Sequence, residues 1–178
     1  MKYLAVLGIS TLLISPYLTV QAEPITANNW QKHPDIIAIR DIFNAVQSDK
    51  ASDQLIKKSR IFEYCKPYAD MERHLYTNQQ GSPRLYIFSG GSEDSSVTTE
   101  TYYDTQGRLR FAFIRAGAAN NTTIEHRIYF SIKGKKLWEN RKQLTGEGYT
   151  FPESWPINTL PKKPLKAFSA AHPCLEES

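Results

Sequence analysis

Apolar residues near the start of the chain recur at steps of three and four residues. The members of this stripe are Ile36, Ile39, Ile42, Phe43 and Val46. Their spacing is typical of a helix whose apolar side lies on a sheet. Pro34 suits the first turn of such a helix, and Asp35 interacts favourably with the positive end of its dipole. We therefore predict one helix over Asn28–Val46, followed by a break or a second short helix through Leu55 and Ile56.

From Ser59 onward, apolar and polar residues alternate with a period of two, which indicates β-strands. Three short segments in this region share one turn pattern, with Asn, Asp or Ser first and Gly fourth: residues 78–81, 104–107 and 131–134. These residue types are typical of a type I turn that closes a bulged hairpin. A strand-like run follows each turn, over Arg84–Phe88, Arg108–Ile114 and Lys136–Asn140. The pattern predicts three hairpins in series.

Hairpins in series form an antiparallel meander, because each strand pairs with the next one along the chain. Ser59–Tyr64 adds an edge strand, which brings the expected number of strands to about seven. The predicted fold class is α+β, with an N-terminal helix packed on a curved antiparallel meander sheet of about seven strands. We predict a single domain of this kind over residues 23–160 and a Pro-rich tail over residues 161–178.

Alternation along the strands assigns the side chains to two predicted faces. The apolar face, expected to pack on the helix, contains Leu85, Ile87, Leu109, Phe111, Phe113, Ile128 and Phe130. The opposite face mixes cations with aromatic rings and contains Arg84, Tyr86, Phe88, Arg108, Arg110, Arg127, Tyr129, Lys136 and Trp138. Such side chains stack on sugar rings or anchor protein interfaces, and they also pair across strands for stability alone. Both interpretations stay open for this face.

The predicted meander separates two kinds of connection between strands. Antiparallel alternation places the three glycine turns at one end of the sheet and the other connections at the opposite end, over residues 65–70, 89–96, 116–123 and beyond Leu144. Loops held by a rigid sheet commonly carry binding residues. We therefore predict partner-binding residues in these loops and on the neighbouring strands. They are Tyr68, Glu93, Asp94, Arg110, Asn120, Asn121, Arg127, Tyr129, Trp138, Tyr149 and Phe151.

The first 22 residues have the pattern of a cleaved signal peptide. Lys2 provides a positive charge, an apolar run follows over Tyr3–Val20, and Ala22 supplies a small side chain at the cleavage point. Pro16 and the short length of the run argue against a membrane anchor, so no membrane span is expected. We predict cleavage after residue 22 and a periplasmic or secreted protein.

Export gives a meaning to the two cysteines, Cys65 and Cys174. An oxidising compartment favours a disulfide between them, which would pin the tail over residues 161–178 to the domain. Prolines in that tail prevent it from forming a long helix of its own. The alternative, a redox or nucleophilic cysteine, has less support because no C-x-x-C motif occurs.

Composition narrows the possible classes of protein. The chain has 178 residues, 22 Lys and Arg against 18 Asp and Glu, and a mean hydropathy of −0.48. These values exclude collagen-like and multi-span membrane proteins. The chain is also too short for a TIM barrel, which needs about 250 residues. A pI near 9.0 brings nucleic acid into consideration as a partner. A formal net charge of only +4, with acidic residues interspersed among the basic ones, argues against nucleic acid.

Motifs for catalysis and metal binding are missing from the sequence. It contains no G-x-S-x-G, H-E-x-x-H, Walker A or EF-hand spacing. The four histidines lack the short spacing of metal ligands; they are His33, His74, His126 and His172. The acidic residues that follow Gly91 suit a flexible turn as well as they suit a calcium site. We therefore predict no catalytic residue, no metal site and no cofactor.

Export, a small rigid sheet, cationic and aromatic side chains and the missing catalytic motifs together favour a non-catalytic binding protein. The function we expect is that of an inhibitor or immunity-type protein against an envelope-directed hydrolase, with a protein of the cell envelope as its partner. The alternative is a periplasmic module that binds a cell-wall glycan, or an apolar ligand between helix and sheet. A third possibility is an enzyme with an unrecognised site.

Overall fold

A computed structural model of the chain describes residues 23–63, 70–147 and 151–171. Helix α1 (Pro34–Ala51) precedes seven strands. The strands are β1 (Ile56–Phe62), β2 (Met71–Thr77), β3 (Pro83–Gly91), β4 (Ser95–Tyr103), β5 (Leu109–Ala118), β6 (Thr123–Phe130) and β7 (Lys136–Thr145). A 3-10 turn at Ile157–Thr159 and a short helix α2 (Pro164–Ser169) follow the last strand.

The seven strands form one sheet whose spatial order is their order along the chain, and every neighbouring pair is antiparallel. The predicted α+β class, with an N-terminal helix and a seven-stranded antiparallel meander, is confirmed. The predicted signal peptide over residues 1–22 lies outside the described residues, as do Cys65 and Cys174. Within the described ranges, no helix is long and apolar enough to cross a membrane.

Helix α1 begins and ends later than the sequence predicts. Pro34 occupies its first turn, and the ring of His33 caps it by accepting the backbone N–H of Asp35 at Nδ1, at 3.2 Å. A proline disfavours helical backbone in the residue before it, so the residues ahead of His33 form turns instead. The helix continues to Ala51, and strand β1 then begins at Ile56. A break over residues 52–55 and then a strand, rather than a second short helix, therefore follow α1.

Three tight turns join β2 to β3, β4 to β5 and β6 to β7, and they have the predicted geometry. The glycines at their fourth positions are Gly81, Gly107 and Gly134, with φ angles of 79°, 73° and 75°. This left-handed backbone favours glycine. The side chains of the first residues accept backbone N–H groups from the turn or from the residue that follows its glycine; these first residues are Asn78, Asp104 and Ser131. We call this end of the sheet the glycine-turn end and the opposite end the loop end.

Valine at Gly107 is expected to lower the free energy of unfolding by about 1–3 kcal/mol, because a β-branched side chain is strained at positive φ. A Cβ at this position would meet only Pro83, at 3.6 to 3.8 Å, so the cost lies in the backbone rather than in a clash. Urea unfolding measures the effect. Gln106→Val, one residue earlier where φ is not positive, is the control. Equal stability of the two variants would contradict the bulged turn.

Two layers cover the sheet, one on each face. On the first, the helix face, α1 packs Ile36, Ile39 and Val46 against strand residues. Those residues are Tyr76, Leu85, Tyr102, Phe111 and Tyr129. On the second, the segment face, residues 151–171 cover the sheet, and we call them the C-terminal segment. The buried strand residues of the segment face include Leu75, Tyr86, Ile114, Ile128 and Phe130.

The predicted division of side chains between the faces is wrong at several positions. Residues expected under the helix that lie on the segment face are Leu109, Ile128 and Phe130. Residues expected on the opposite face that lie on the helix face are Arg127, Tyr129 and Trp138. The bulge in β5 opposite Tyr102 and Tyr103 places Leu109 and Phe111 on different faces. Register pairs Phe111 with Tyr129, which turns Ile128 to the segment face. The predicted cationic and aromatic side chains are therefore divided between both faces.

The connections at the loop end are shorter than predicted, because the strands continue further. β3 runs to Gly91 and β4 begins at Ser95, so three residues connect them rather than residues 89–96. β5 runs to Ala118, and β6 begins at Thr123. The backbone N–H of Ala119 donates to the Asp94 carbonyl at 2.8 Å, which ties the two turns to each other. These turns form a compact rim rather than long loops.

Candidate functional site

A groove lies on the helix face, between α1 and the middle of the sheet. Its volume is about 320 Å³. Ile39, Arg40, Phe43 and Asn44 line it from the helix, and Phe111, Phe113, Arg127 and Tyr129 line it from β5 and β6. The helix stripe that packs on the sheet also places Arg40 and Asn44 at the edge of that contact, because they lie one residue beyond Ile39 and Phe43. The groove is therefore built by the same packing that builds the core.

The floor of the groove is aromatic and part of the core. Phe43 meets Phe111 edge-on, with ring centroids 5.6 Å apart, and Phe111 lies 5.0 Å from the ring of Tyr129. Phe111 and Tyr129 are both buried, whereas Phe113 is only partly buried. Aromatic side chains in such offset and edge-to-face contacts hold one another in place. The floor is thus apolar and fixed before any ligand binds.

Arginine guanidinium groups at the groove lie against aromatic rings. The Arg40 guanidinium carbon is 5.3 Å from the centroid of the Trp30 ring, and Arg40 Nη1 donates to the Gln31 carbonyl at 2.8 Å. Arg127 lies 4.8 Å from the centroid of Phe113, and its Nη1 is 2.7 Å from Glu125 Oε2. A cation over a ring face is attracted by the ring quadrupole, which limits the freedom of its side chain. Both guanidinium groups are therefore preorganised.

Farther toward the loop end, the helix face continues as a solvent-accessible surface. We call it the open sheet surface, and it comprises Ile87, Glu100, Phe113, Arg115 and Arg127. Arg115 stacks on Phe113 at 5.3 Å and donates through Nη2 to Glu100 Oε1 at 2.9 Å, with 57% of its side chain exposed. The groove and this surface meet at Phe113, which forms part of both. Together they present a continuous cationic and aromatic area.

A hydrogen-bond chain from the helix orients Glu100 and, through it, Arg115. Gln47 Nε2 donates to the Tyr102 hydroxyl at 2.8 Å, and that hydroxyl donates to Glu100 Oε2. Burial raises the pKa of Tyr102 far above its ordinary value, and the neighbouring Glu100 carboxylate raises it further. Tyr102 is therefore a permanent donor at neutral pH. The carboxylate keeps one oxygen for Tyr102 and the other for Arg115.

The charges at this site do not cancel. Arg40, Arg115 and Arg127 contribute three positive charges, whereas Glu100 and Glu125 contribute two negative ones. Among the described residues, the contacts of Arg40 are a ring and a carbonyl rather than a carboxylate. Guanidinium groups bind carboxylates through two parallel hydrogen bonds. The arrangement can therefore bind a carboxylate whose apolar neighbours rest on the aromatic floor.

Several residues predicted to bind a partner lie in other parts of the fold. Arg110 is on the segment face at the glycine-turn end, where it donates to the Phe130 carbonyl and lies 3.6 Å from Asp104. Trp138 stacks on Trp30 with ring centroids 6.1 Å apart. Phe151 is buried on the segment face in a small cluster with strand residues. Of the predicted residues, the structure brings Arg127 and Tyr129 together at the groove.

The remaining predicted residues lie at the rim of the loop end or outside the described residues. Glu93 and Asp94 are exposed in the turn between β3 and β4, and Asn120 and Asn121 are exposed in the turn between β5 and β6. Asn121 has a φ of 65°, and the Asn120 side chain accepts the backbone N–H of Thr122 at 3.1 Å. Asn120 and Asn121 therefore help to set the backbone conformation of the turn between β5 and β6. Tyr68 and Tyr149 lie outside the described residues.

The sequence prediction missed the helix side of the groove and part of the sheet. Arg40 and Asn44 flank the apolar stripe of α1, and a polar residue in that position signals the edge of a helix–sheet contact. Arg115 follows Phe113 by two residues, so alternation alone places both on one face. That signal was available, but Phe113 was expected under the helix rather than beside it. The periodicity of a helix does not show how much of a sheet the helix covers.

Within the part of the chain that the structure describes, no group of three or more His, Cys, Asp or Glu is placed to hold a metal ion. Comparisons of the chain with models of known protein families, with curated proteins and with solved structures give no match. The groove and the open sheet surface must therefore be interpreted from their own chemistry.

Proposed function

We propose that this chain is an exported, non-catalytic binding protein that docks an acidic protein surface on the groove and the open sheet surface. The observation that carries the proposal is the pair of preorganised guanidinium groups at the groove. Arg40 is contributed by the helix and Arg127 by the sheet, and both border an aromatic floor. A carboxylate side chain of the partner binds there, with its own apolar neighbours on Phe113.

The chemistry of the site is that of residues which dominate protein interfaces. Arginine and aromatic residues are enriched at interface hot spots, and their truncation typically costs about 2 kcal/mol or more of binding free energy. Binding also costs the freedom of each side chain that becomes fixed, about 0.5–1.5 kcal/mol for a flexible one. Stacking on Trp30 and Phe113 has already removed much of that freedom from Arg40 and Arg127. The site is therefore suited to tight binding.

The partner class that we favour is an envelope-directed hydrolase, which makes the protein an inhibitor or immunity-type protein. Most glycoside hydrolases use two carboxyl groups that flank the bond to be cut, within a cleft. Guanidinium groups that pair with carboxylates at such a cleft cover it and block the substrate. The export predicted from residues 1–22 would bring both proteins into one compartment. In the same compartment we propose that Cys65 and Cys174 form a disulfide.

Capture from an envelope extract tests this function. Full-length protein made in an exporting host is immobilised, and bound proteins are identified by mass spectrometry. We expect one protein to be retained by the native chain, and its affinity for Arg40→Ala/Arg127→Ala to be lower by about thirtyfold or more, as expected for the loss of about 2 kcal/mol. Lys133→Ala, in an exposed turn at the glycine-turn end, is the matched control and should retain it fully.

Three further results decide between the proposed functions. The captured protein should hydrolyse an envelope polymer, and stoichiometric addition of the native chain should stop that activity. Retention that is unchanged in the double arginine variant would rule out the groove as the docking site. Retention of a glycan without any protein would favour the alternative, a glycan-binding module that uses the same aromatic residues.

A further inference from the structure

A second cavity lies on the other side of the sheet, between the segment face and the C-terminal segment. Its volume is about 700 Å³, within the range of about 300–1,000 Å³ that small-molecule sites occupy. β2, β3 and β4 form its floor at the loop end, and residues 152–170 form its roof. It is independent of the proposed function, since it shares no residue with the groove or the open sheet surface.

The walls of this cavity are largely apolar. Phe88 and Val97 project from the sheet, and Trp155 closes over them from the C-terminal segment. These three side chains are only partly buried, although they pack on the core cluster of the segment face. Glycine at position 90 lets Met71 and Phe88 pack closely over the floor, because a Cβ there would lie 3.0 Å from Met71 Cγ and 3.1 Å from Phe88 Cζ. The cavity can therefore take an apolar chain that excludes water from these walls.

One edge of the cavity is cationic. Arg73 lies over the Phe62 ring at 4.5 Å and donates through Nη1 to the Ala170 carbonyl at 2.7 Å. Arg60 lies over the same ring at 4.9 Å and donates to the carbonyls of Phe168 and Ala170, each at 2.9 Å. Two like charges thus share one ring and one carbonyl, and the partners given above for them, all among the described residues, are neutral groups.

No acidic side chain is found among the described residues that line the cavity, and Arg73 is the one charged residue of that lining. Tyr86 lies near Arg73: burial raises the pKa of its hydroxyl, and the charge of Arg73 lowers it in part. At neutral pH this hydroxyl is protonated and can donate. A guanidinium and a phenol at one edge, with apolar walls beyond them, are complementary to an anion that carries an apolar body.

We propose that this cavity binds an amphiphilic monocarboxylate of small molecular size, such as a medium-chain fatty acid. The carboxylate is held by Arg73 and Tyr86, and the chain lies against Phe88, Val97 and Trp155. The charge of Arg73 gives the acid an advantage over an uncharged molecule of the same shape. The apolar walls provide the affinity for the hydrocarbon chain of the ligand.

Calorimetric titration with decanoate and with the uncharged alcohol decanol tests the proposal on the full-length protein. We expect one equivalent of decanoate to bind, about tenfold or more tightly than decanol, as is usual for a hydrogen bond to a charged group. Arg73→Gln should reduce decanoate binding to the level of decanol and leave decanol unchanged. Lys133→Gln, at the opposite end of the sheet, is the control for nonspecific attraction and should bind like the native chain.

Ala167→Phe fills the cavity from α2 and should abolish binding of both molecules. If that variant does not fold by circular dichroism, nuclear Overhauser effects between the decanoate chain and the Trp155 indole of the native protein decide the location instead. Equal affinities for acid and alcohol, undiminished decanoate binding by Arg73→Gln, an equal loss in Lys133→Gln, or no contact with Trp155 would each overturn the proposal.

Discussion

Glu139→Ala is expected to lower the free energy of unfolding by about 3–5 kcal/mol, the range for the loss of one partner from a buried charged pair. Glu139 Oε1 accepts hydrogen bonds from His126 Nδ1 at 2.8 Å and from the Trp155 backbone at 2.7 Å. Oε2 accepts from Lys136 Nζ and from Ser154 Oγ, both at 2.6 Å. Without the carboxylate, the buried imidazole and the Trp155 N–H lose their acceptor, and the C-terminal segment loses two of its hydrogen bonds to β7, those donated by Ser154 and Trp155.

Two further variants are compared with Glu139→Ala by urea unfolding. Glu139→Gln keeps the shape and one acceptor oxygen, so we expect a smaller loss than for Glu139→Ala. Glu153→Ala is the control, because Glu153 is 88% exposed and its ion pair with Arg141 is long, at 3.6 Å. Exposed pairs of this kind contribute about 0–1 kcal/mol. If Glu139→Ala and Glu153→Ala were equally stable, the carboxylate would not fasten the segment.

The same carboxylate predicts how stability depends on pH. Burial raises the pKa of Glu139, but hydrogen bonds from Lys136, Ser154, Trp155 and His126 lower it more, to about 2. A carboxyl whose pKa is lower in the folded state stabilises it above its ordinary pKa, and this contribution disappears as the pH falls toward 2. At about 1.4 kcal/mol for each pKa unit, the contribution is on the order of 3 kcal/mol. The stability difference between native protein and Glu139→Gln should therefore shrink between pH 5 and 2; a constant difference would contradict this assignment.

The parts of the fold that were predicted correctly depend on local rules. Asn78, Asp104 and Ser131 each bind the backbone of their own turn, and the glycine three residues later has the backbone that only this residue type adopts easily. These contacts span a few residues, so their spacing in the sequence is sufficient to identify them. Hairpins in series have few possible arrangements other than a meander. The order of the strands could therefore be predicted from the turns.

The faces of the sheet were not predictable in the same way, because register is set between strands rather than within one. A bulge of one residue moves Leu109 away from the face of Phe111, and nothing in the alternation of β5 marks its position. The packing of the C-terminal segment on the segment face was also not predicted. Trp155 and Leu160 lie among prolines without a helix or strand period, yet both are packed on the sheet. Their contacts are determined by the tertiary structure.

Only part of the candidate site could be predicted, because its residues are brought together by contacts between elements rather than within one. Alternation along β6 groups Arg127 with Tyr129, but the register with β5 places both on the helix face instead of the predicted opposite face, and Arg127 lies there beside Phe113. Arg40 reaches the groove only because α1 crosses the sheet at a particular place, which depends on how Ile36, Ile39 and Val46 pack on the strands. Residues that line a groove between two elements can be found from sequence only after both elements have been positioned.

Replacing Cys65 and Cys174 together by Ser is expected to lower the free energy of unfolding by about 2–5 kcal/mol, the usual cost of losing a disulfide in a small secreted domain. The predicted bond joins distant parts of the chain, and a closed loop of about 100 residues loses much of its freedom in the unfolded state. Unfolding of oxidised native protein, of reduced native protein and of the double Ser variant measures the effect. Reduction should have no further effect on the Ser variant.

Intact mass of the native chain from an exporting host is the control for the chemistry: it should equal residues 23–178 less two hydrogens, and the folded protein should present no thiol to a titrant. Free thiols in the native state would show that the pairing is wrong. Because Cys174 lies only three residues beyond the C-terminal segment in the sequence, the disulfide and Glu139 would both fasten that segment to the rest of the domain. Changes at groups with a shared partner are not additive. Once either attachment is lost, the segment gains freedom, and the second loss should therefore cost less than it does in the native chain.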